Sequence, residues 1–440
     1  MNDEIIKNSK NQMFSLIEKL FPICRSITGN GVRESLKIIK EVIPIEIIEI
    51  PSGTKVFDWE IPKEWNIKDG FIKNSKNEKI VDFKKSNLHI LNYSVPINKK
   101  VSFNELKQHL FTLPDLPNAI PYLTSYYNEN WGFCISFNDF LKLDKDEEYD
   151  VFIDSTLEKG FLTYGELLLK GRVEDEILIT CYTCHPSLCN DNLSGVVLVT
   201  LLAKILKETK LNYSIRFLFI PETIGAITWL NQNEKNLSKI KYGLVATCVG
   251  DSGNITYKKT KKGNSSLDII VERTLKKIGD TYKIIDFFPS GSDERQFCSP
   301  GINLNVGSVM RTPYGEFDEY HTSLDNLKFI KKESLTDSLK KYISIILEID
   351  KTIENIDINQ NKIFLNKNLK CEPQLGKRGI YESIGGQKNE SLNDLALLWI
   401  MNQSDGENSL LDISIKSKIP FDIISSNAEI LEKFGLIEIK

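Results

Sequence analysis

Cys181-Tyr182-Thr183-Cys184-His185-Pro186-Ser187-Leu188-Cys189-Asn190-Asp191-Asn192-Leu193-Ser194-Gly195 is the stretch on which the reading of this 440-residue chain turns. Ahead of it, Glu176-Ile177-Leu178-Ile179-Thr180 is short, apolar and β-branched, which predicts a buried strand. Behind it, Val196, Val199, Leu202 and Ile205 recur at helical spacing. His185 and Asp191 therefore fall between the C-terminal end of a strand and the N-terminus of a helix, where open α/β sheets place ligands and chemistry. An imidazole and a carboxylate in such a turn make a candidate pair of metal ligands. A plainer reading, with Asp191 capping the helix and His185 hydrogen-bonded in its loop, explains this stretch equally well.

The same alternation extends outward. Helices are predicted over 3–20 and 32–42, followed by a strand over 45–50. Further strands are expected over 149–153, 165–170, 176–183, 214–220, 242–249, 255–258, 282–286 and 302–307. Helices are expected over 193–208, 224–235, 265–278 and 331–355. Strands interleaved with helices predict an α/β fold, a mixed, mostly parallel sheet flanked by helices. Between 51 and 135 the character changes: Trp59, Trp65 and Trp131 stand among frequent prolines, with short strands expected over 71–73, 79–83 and 88–95. This reads as a small β-rich insertion into a catalytic domain formed by 1–50 and 136–356. Residues 357–390 read as a linker. Residues 391–440 give three helices and a closing strand, the order of a winged-helix module.

Composition narrows the function. The chain is 41% hydrophobic and 26% charged, with a net charge of −4, a balance that does not point to nucleic acid or an anionic membrane surface. The module over 391–440 carries four lysines against eight acidic residues, whereas a DNA-binding face must neutralise phosphates. A protein partner is the expectation for it. No apolar run suited to spanning a bilayer is evident, and the acidic start Met1-Asn2-Asp3-Glu4 does not resemble a signal peptide. The expected location is the cytoplasm. Eight cysteines in a chain of this size do not make a disulfide framework. Cys181, Cys184 and Cys189 cluster, but no fourth ligand stands at the spacing of a structural zinc site. Arg25 and Arg33, around a glycine-containing turn, read as pins holding the loop to the body rather than as an anion site.

Chemistry collects at the ends of the predicted strands. The strand over 214–220 ends in Pro221-Glu222-Thr223-Ile224-Gly225, Ser292-Asp293 follows a later strand, and Tyr320-His321 lies in a long acidic loop. The chain has only four histidines, and two of them stand in these loops. His185, Asp191 and His321 would leave coordination positions open, as catalytic metals require. Glu222 would then be free to act as general base on an activated water.

In this order, His185…Asp191-Asn192-Leu193-Ser194-Gly195, Glu222-Thr223-Ile224-Gly225, Ser292-Asp293 with Phe297, and Tyr320-His321-Thr322-Ser323-Leu324-Asp325 resemble the zinc aminopeptidase and glutaminyl cyclase clan. The whole chain resembles bacterial aminopeptidase-like proteins with a small β insertion and a C-terminal winged helix, often associated with polysaccharide biosynthesis. The resemblance implies a zinc-dependent hydrolase of amide or peptide bonds. Three departures stand out. The clan has a pair of glutamates where this chain has Glu222-Thr223, keeping the base and losing a ligand. A ligand aspartate is expected where Thr247-Cys248-Val249-Gly250 stands, unless Asp251 takes its place by a shift of register. The aspartate that orients the first histidine is Ser187. What remains is His185, Asp191 and His321, which implies one zinc ion with Glu222 as base. Asp293 and Tyr320 are candidate substrate-binding residues.

The substrate expected is a small peptide or amide. Two further readings remain open: deacetylation or amide hydrolysis on a sugar intermediate, and a non-catalytic scaffold that retains the fold.

Overall fold

Glu176–Tyr182 is a strand buried along its whole length, as its unbroken apolar composition predicts for a strand covered on both faces. It lies inside an eight-stranded sheet of the computed structural model, which describes residues 3–352, 362–367, 373–375, 378–380 and 392–440. In spatial order the strands are Glu46–Pro51, Phe161–Leu169, Ser214–Ile220, Glu176–Tyr182, Ile240–Ala246, Val306–Met310, Ile255–Lys258 and Tyr282–Ile285. The four from Ser214–Ile220 to Val306–Met310 run parallel, and antiparallel neighbours close both flanks. This is the mixed, mostly parallel sheet expected. The helix Gly195–Leu206 is buried along almost its whole length and packs against the helix Asp3–Leu20 and the sheet. Each Leu or Val side chain buried this way contributes about 1.5–3 kcal/mol. Cys189–Leu206 is apolar enough on average to qualify as a membrane span, contrary to the sequence reading, but 89% of it is buried inside the fold. It is a core element.

A second sheet of four antiparallel strands runs Lys79–Asp82, Glu64–Lys73, Glu148–Glu158, Ile97–Ser102. The sequence places the strand over 149–153 in the α/β alternation, whereas it pairs in this sheet. Its burial alternates residue by residue, the signature of a strand covered on one face, but periodicity says nothing of which sheet receives it. The strand expected over 88–95 is replaced by a 3-10 turn, Asn87–His89, and isolated bridges. The loop beyond reaches the main sheet's C-terminal edge: Pro121 bridges to Thr322, and the Tyr122 N–H donates to the His321 carbonyl at 2.7 Å.

The chain divides into two compact units, Met1–Ile349 and Asp350–Lys440. The second unit has helices Leu392–Gln403, Leu410–Ser417 and Phe421–Lys433 and a three-stranded sheet in the order Asp405–Ser409, Ile363–Asn366, Ile437–Ile439. The strand Ile363–Asn366 falls within the stretch read as linker. Four residues flanked by polar chain are too few to show a period, and pairing with Ile437–Ile439 defines them. Most of the remaining linker assignment lies outside the described residues.

Candidate metal centre

Tyr182 pairs with Ile220 in register, so the two parallel strands end level and release their loops at one edge. His185 is set by three contacts around its loop. Arg25, fully buried, donates from Nε to the His185 carbonyl at 2.9 Å and from Nη1 to Leu20. Arg25 is thus a pin, as expected, and it pins a site residue. Arg33 pairs with Glu49 and Glu64. Ser187 does not orient the imidazole; its hydroxyl donates to the Phe21 carbonyl. The group beside His185 Nδ1 is the Cys184 thiol, at 3.4 Å. Asp191 is placed through its backbone, since the N–H groups of Asn190 and Asp191 donate to the two carboxylate oxygens of buried Asp325 at 2.6 and 2.8 Å.

Glu222 follows the strand Ser214–Ile220 and enters a tight turn at Thr223, whose φ is 61°. The Thr223 N–H donates to Asp293 Oδ1 at 2.7 Å, and Arg295 Nη2 donates to the Thr223 hydroxyl at 3.0 Å. Ser187, Thr223, Cys248 and His321 all have positive φ without being glycine. Each costs about 1–3 kcal/mol, and such residues cluster where surrounding structure holds a functional loop in place.

These loops bring together His185, Asp191 and His321, whose ligand atoms all lie within 4.8 Å of one another. Nε2 of His185 is 3.7 Å from Asp191 Oδ2 and 3.8 Å from Glu222 Oε2. Nε2 of His321 is 2.9 Å from the same Asp191 oxygen. Yet Asp191 Oδ2 and His321 Nε2, both buried, are in no well-formed hydrogen bond. Orphaned buried polar atoms are uncommon and call for an explanation. Two ligands about 2.0–2.2 Å from one zinc ion in a tetrahedron would be about 3.4 Å apart. The observed spacings bracket that value, so the donor set fits a zinc ion.

The electrostatics agree. Burial pushes the His185 imidazole down to about 4, so it is uncharged at neutral pH. Burial alone would raise Asp191; His185, His321 and the Tyr182 hydroxyl outweigh it and hold the carboxyl at about 2. A neutral imidazole and an ionised carboxylate are the protonation states that ligation requires. Burial, and then the Asp293 and Asp191 carboxylates, push Glu222 well above the usual carboxylate range, the direction that suits a general base.

Asp251 is not a displaced ligand. Its carboxylate accepts from Asn190 Nδ2, the Thr312 hydroxyl and the Gly253 N–H, at 3.0, 2.7 and 2.6 Å. Asp293 lies under the Glu222 turn and is 1% exposed; burial pushes it up to about 7. Oδ2 of Asp293 has no hydrogen-bond partner. Tyr320 stacks on the His321 ring, with centroids 4.0 Å apart. Sequence reasoning missed Tyr122, which the loop between the strands Leu110–Phe111 and Phe133–Cys134 supplies and whose ring lies 5.2 Å from both His185 and His321. It also missed Tyr182, which donates to Asp191 Oδ1, because a tyrosine ending a buried strand reads as core.

A family model described as a domain of unknown function, DUF4910, matches residues 14–352. The chain belongs to this family. A second model, described as winged helix-turn-helix, matches 362–439, so the C-terminal unit is a winged helix. A Clostridium acetobutylicum protein is 56% identical over 440 residues, covering 99% of both chains. Its provisional name is polysaccharide biosynthesis protein with aminopeptidase-like domain. A crystal structure of a provisionally assigned peptidase from the same organism has 54% identity and a TM-score of 0.78, covering 100% of this chain and 99% of that one. The zinc aminopeptidase of Bacillus subtilis matches at TM-score 0.56 and 15% identity, over 78% of this chain and 94% of its own. The Shewanella amazonensis peptidase M28 precursor matches at 0.53 and 13%, with the same coverage. At those identities the likeness is one of fold: the DUF4910 chain is built as an aminopeptidase-like α/β unit followed by a winged helix.

Proposed function

We propose that this protein is a zinc-dependent hydrolase of amide bonds, aminopeptidase-like in its chemistry, with one ion held by His185, Asp191 and His321. The observation that supports it is the convergence of two imidazoles and one carboxylate on a common point, with Glu222 beside them. When bound, the ion supplies Lewis acidity, which makes water nucleophilic near neutral pH and polarises an amide carbonyl. Glu222 is the base: Oε2 accepts a proton from the attacking water and returns it to the departing nitrogen. A carboxyl raised by burial holds that proton more readily than an exposed one. Tyr122 and the Tyr320–His321 stack pack aromatic rings around the two imidazoles. Asp293 holds the Glu222 turn through the Thr223 amide.

The experiment is elemental analysis with a panel of aminoacyl anilides. Glu222→Gln should keep its zinc and lose activity by about 10²–10⁴-fold. Activity retained in that variant would defeat the assignment of the base. The name of the Clostridium acetobutylicum relative favours a second reading, an amide on a sugar intermediate of polysaccharide biosynthesis. Turnover of acetamido sugars in preference to the anilides would select it. A protein that takes up no zinc and is not destabilised by chelation is instead a scaffold.

A further inference from the structure

The reading of a metal centre leaves open why Asp191 should hold one cation when a carboxylate has two oxygens. We infer that Tyr182, which closes one oxygen of Asp191, and Thr247, which holds Tyr182 and brings no carboxylate of its own, act together as the positioning pair that restricts the centre to a single ion. This rests on the proposed metal centre and concerns its stoichiometry and affinity.

The two oxygens of Asp191 are in different surroundings. Oδ2 faces His185 and His321 and is without a well-formed hydrogen bond. Oδ1 accepts from the Tyr182 hydroxyl. An ionised carboxylate has no proton to give, so the phenol must be the donor. Its single proton is then committed, and the contact of 2.6 Å between the Tyr182 and Thr247 hydroxyls must have Thr247 as donor. The result is a directed chain from Thr247 to Tyr182 to Asp191 Oδ1. Asp191 and Thr247 are fully buried and Tyr182 is 3% exposed, so water cannot readily take over these bonds.

The fold brings the three together. Tyr182 ends the strand Glu176–Tyr182, and Thr247 directly follows the strand Ile240–Ala246, its parallel neighbour. Asp191 returns over both in the turn before the helix Gly195–Leu206. Next to Glu222 in the chain, the Thr223 hydroxyl accepts from Arg295. A guanidinium fixed there repels a second cation at short range. Both threonines are therefore engaged by neighbouring side chains, and neither offers an open ligand position. Bonds that orient a ligand typically change metal affinity by about 10–100-fold when removed.

The test uses the full chain titrated with zinc against a chromophoric chelator, and with cobalt, whose visible spectrum reports the coordination. The wild type should saturate at one equivalent. Tyr182→Phe should also take one equivalent but bind about 10–100-fold more weakly, with an altered cobalt spectrum. Thr247→Val, which leaves every proposed ligand in place, should show a smaller loss in the same direction. Tyr182→Phe/Thr247→Asp frees Oδ1 and adds a carboxylate beside it, and should saturate at two equivalents. The inference is overturned if the wild type takes two equivalents, if Tyr182→Phe matches wild-type affinity and spectrum, or if the double variant stops at one. A wild type that takes no zinc refutes the metal centre itself. That result is distinct from the other three.

Discussion

Lys258 and Glu294 form an ion pair at 2.7 Å with neither side chain exposed to solvent. Around it, Lys258 Nζ also donates to the Ser290 carbonyl and the Tyr314 hydroxyl, and Ser308 donates to the other Glu294 oxygen. Glu294 stands between Asp293 and Arg295, which both bond to the Thr223 turn beside Glu222. Replacing Lys258 with Met keeps most of the volume and removes the cation. Glu294 keeps Ser308 and Tyr314 as donors, at 2.8 and 3.1 Å, but its charge is left in a low-dielectric pocket. Breaking a buried pair from one side costs about 3–5 kcal/mol, a hundredfold to several-thousandfold in the folding equilibrium. Replacing both residues, Lys258→Met/Glu294→Leu, removes the charge with its partner and should recover most of that loss, because two mutually compensating ions contribute little net stability. The assay is chemical denaturation of wild type, both single variants and the double variant, compared as a cycle. A single Lys258→Met variant within 1 kcal/mol of wild type, or a double variant less stable than Lys258→Met, would refute the reasoning.

His321→Ala should lose stoichiometric zinc while the fold survives, because His321 is the most exposed of the three proposed ligands, with 36% of its side chain accessible; circular dichroism and elemental analysis check the two halves. Zinc at about one hundred times its dissociation constant should stabilise the wild type by about 2.7 kcal/mol, a shift that differential scanning fluorimetry reads and that His321→Ala should abolish. Burial raises Glu64, but the bidentate Arg33 pair, Asn66 and the Phe161 amide outweigh it and hold the carboxyl at about 2, below its ordinary 4.5. A depressed carboxyl stabilises the fold above its unfolded value and loses that contribution as pH falls from about 4.5 to about 2. Melting temperatures of wild type and Glu64→Gln should therefore differ at pH 7 and converge across that acidic window.

Much of the site could be read from the chain because its parts are local. His185 and Glu222 follow closely on apolar runs that read as buried strands, Asp191 lies in the turn between one of them and the next helix, and a strand's end is where such chemistry collects in α/β folds. His321 was legible through scarcity, as one of four histidines and in an acidic loop. Whether Asp251 could stand in for the lost ligand was left open, because spacing shows proximity along the chain and not the direction of a carboxylate, which here turns to Asn190 and Thr312. The strand Glu148–Glu158 was visible as a strand and placed in the wrong sheet for a related reason. Its alternating face suits any half-covered sheet, and its partners lie about 50 to 90 residues away.

Sequence alone settled the α/β class, the position of the loops along the chain and the kind of chemistry their residues carry, because burial periodicity and residue type are properties of short segments. Tertiary structure alone decided which atoms face one another. That Tyr122 of a distant loop lies against both histidines, that Arg25 holds the carbonyl of His185, and that Tyr182 takes one oxygen of Asp191 and leaves the other are consequences of tertiary packing. Hydrogen bonds and ligand contacts depend on distances of a few ångströms and on the angle of approach, and those exist only once segments far apart in the chain have packed together.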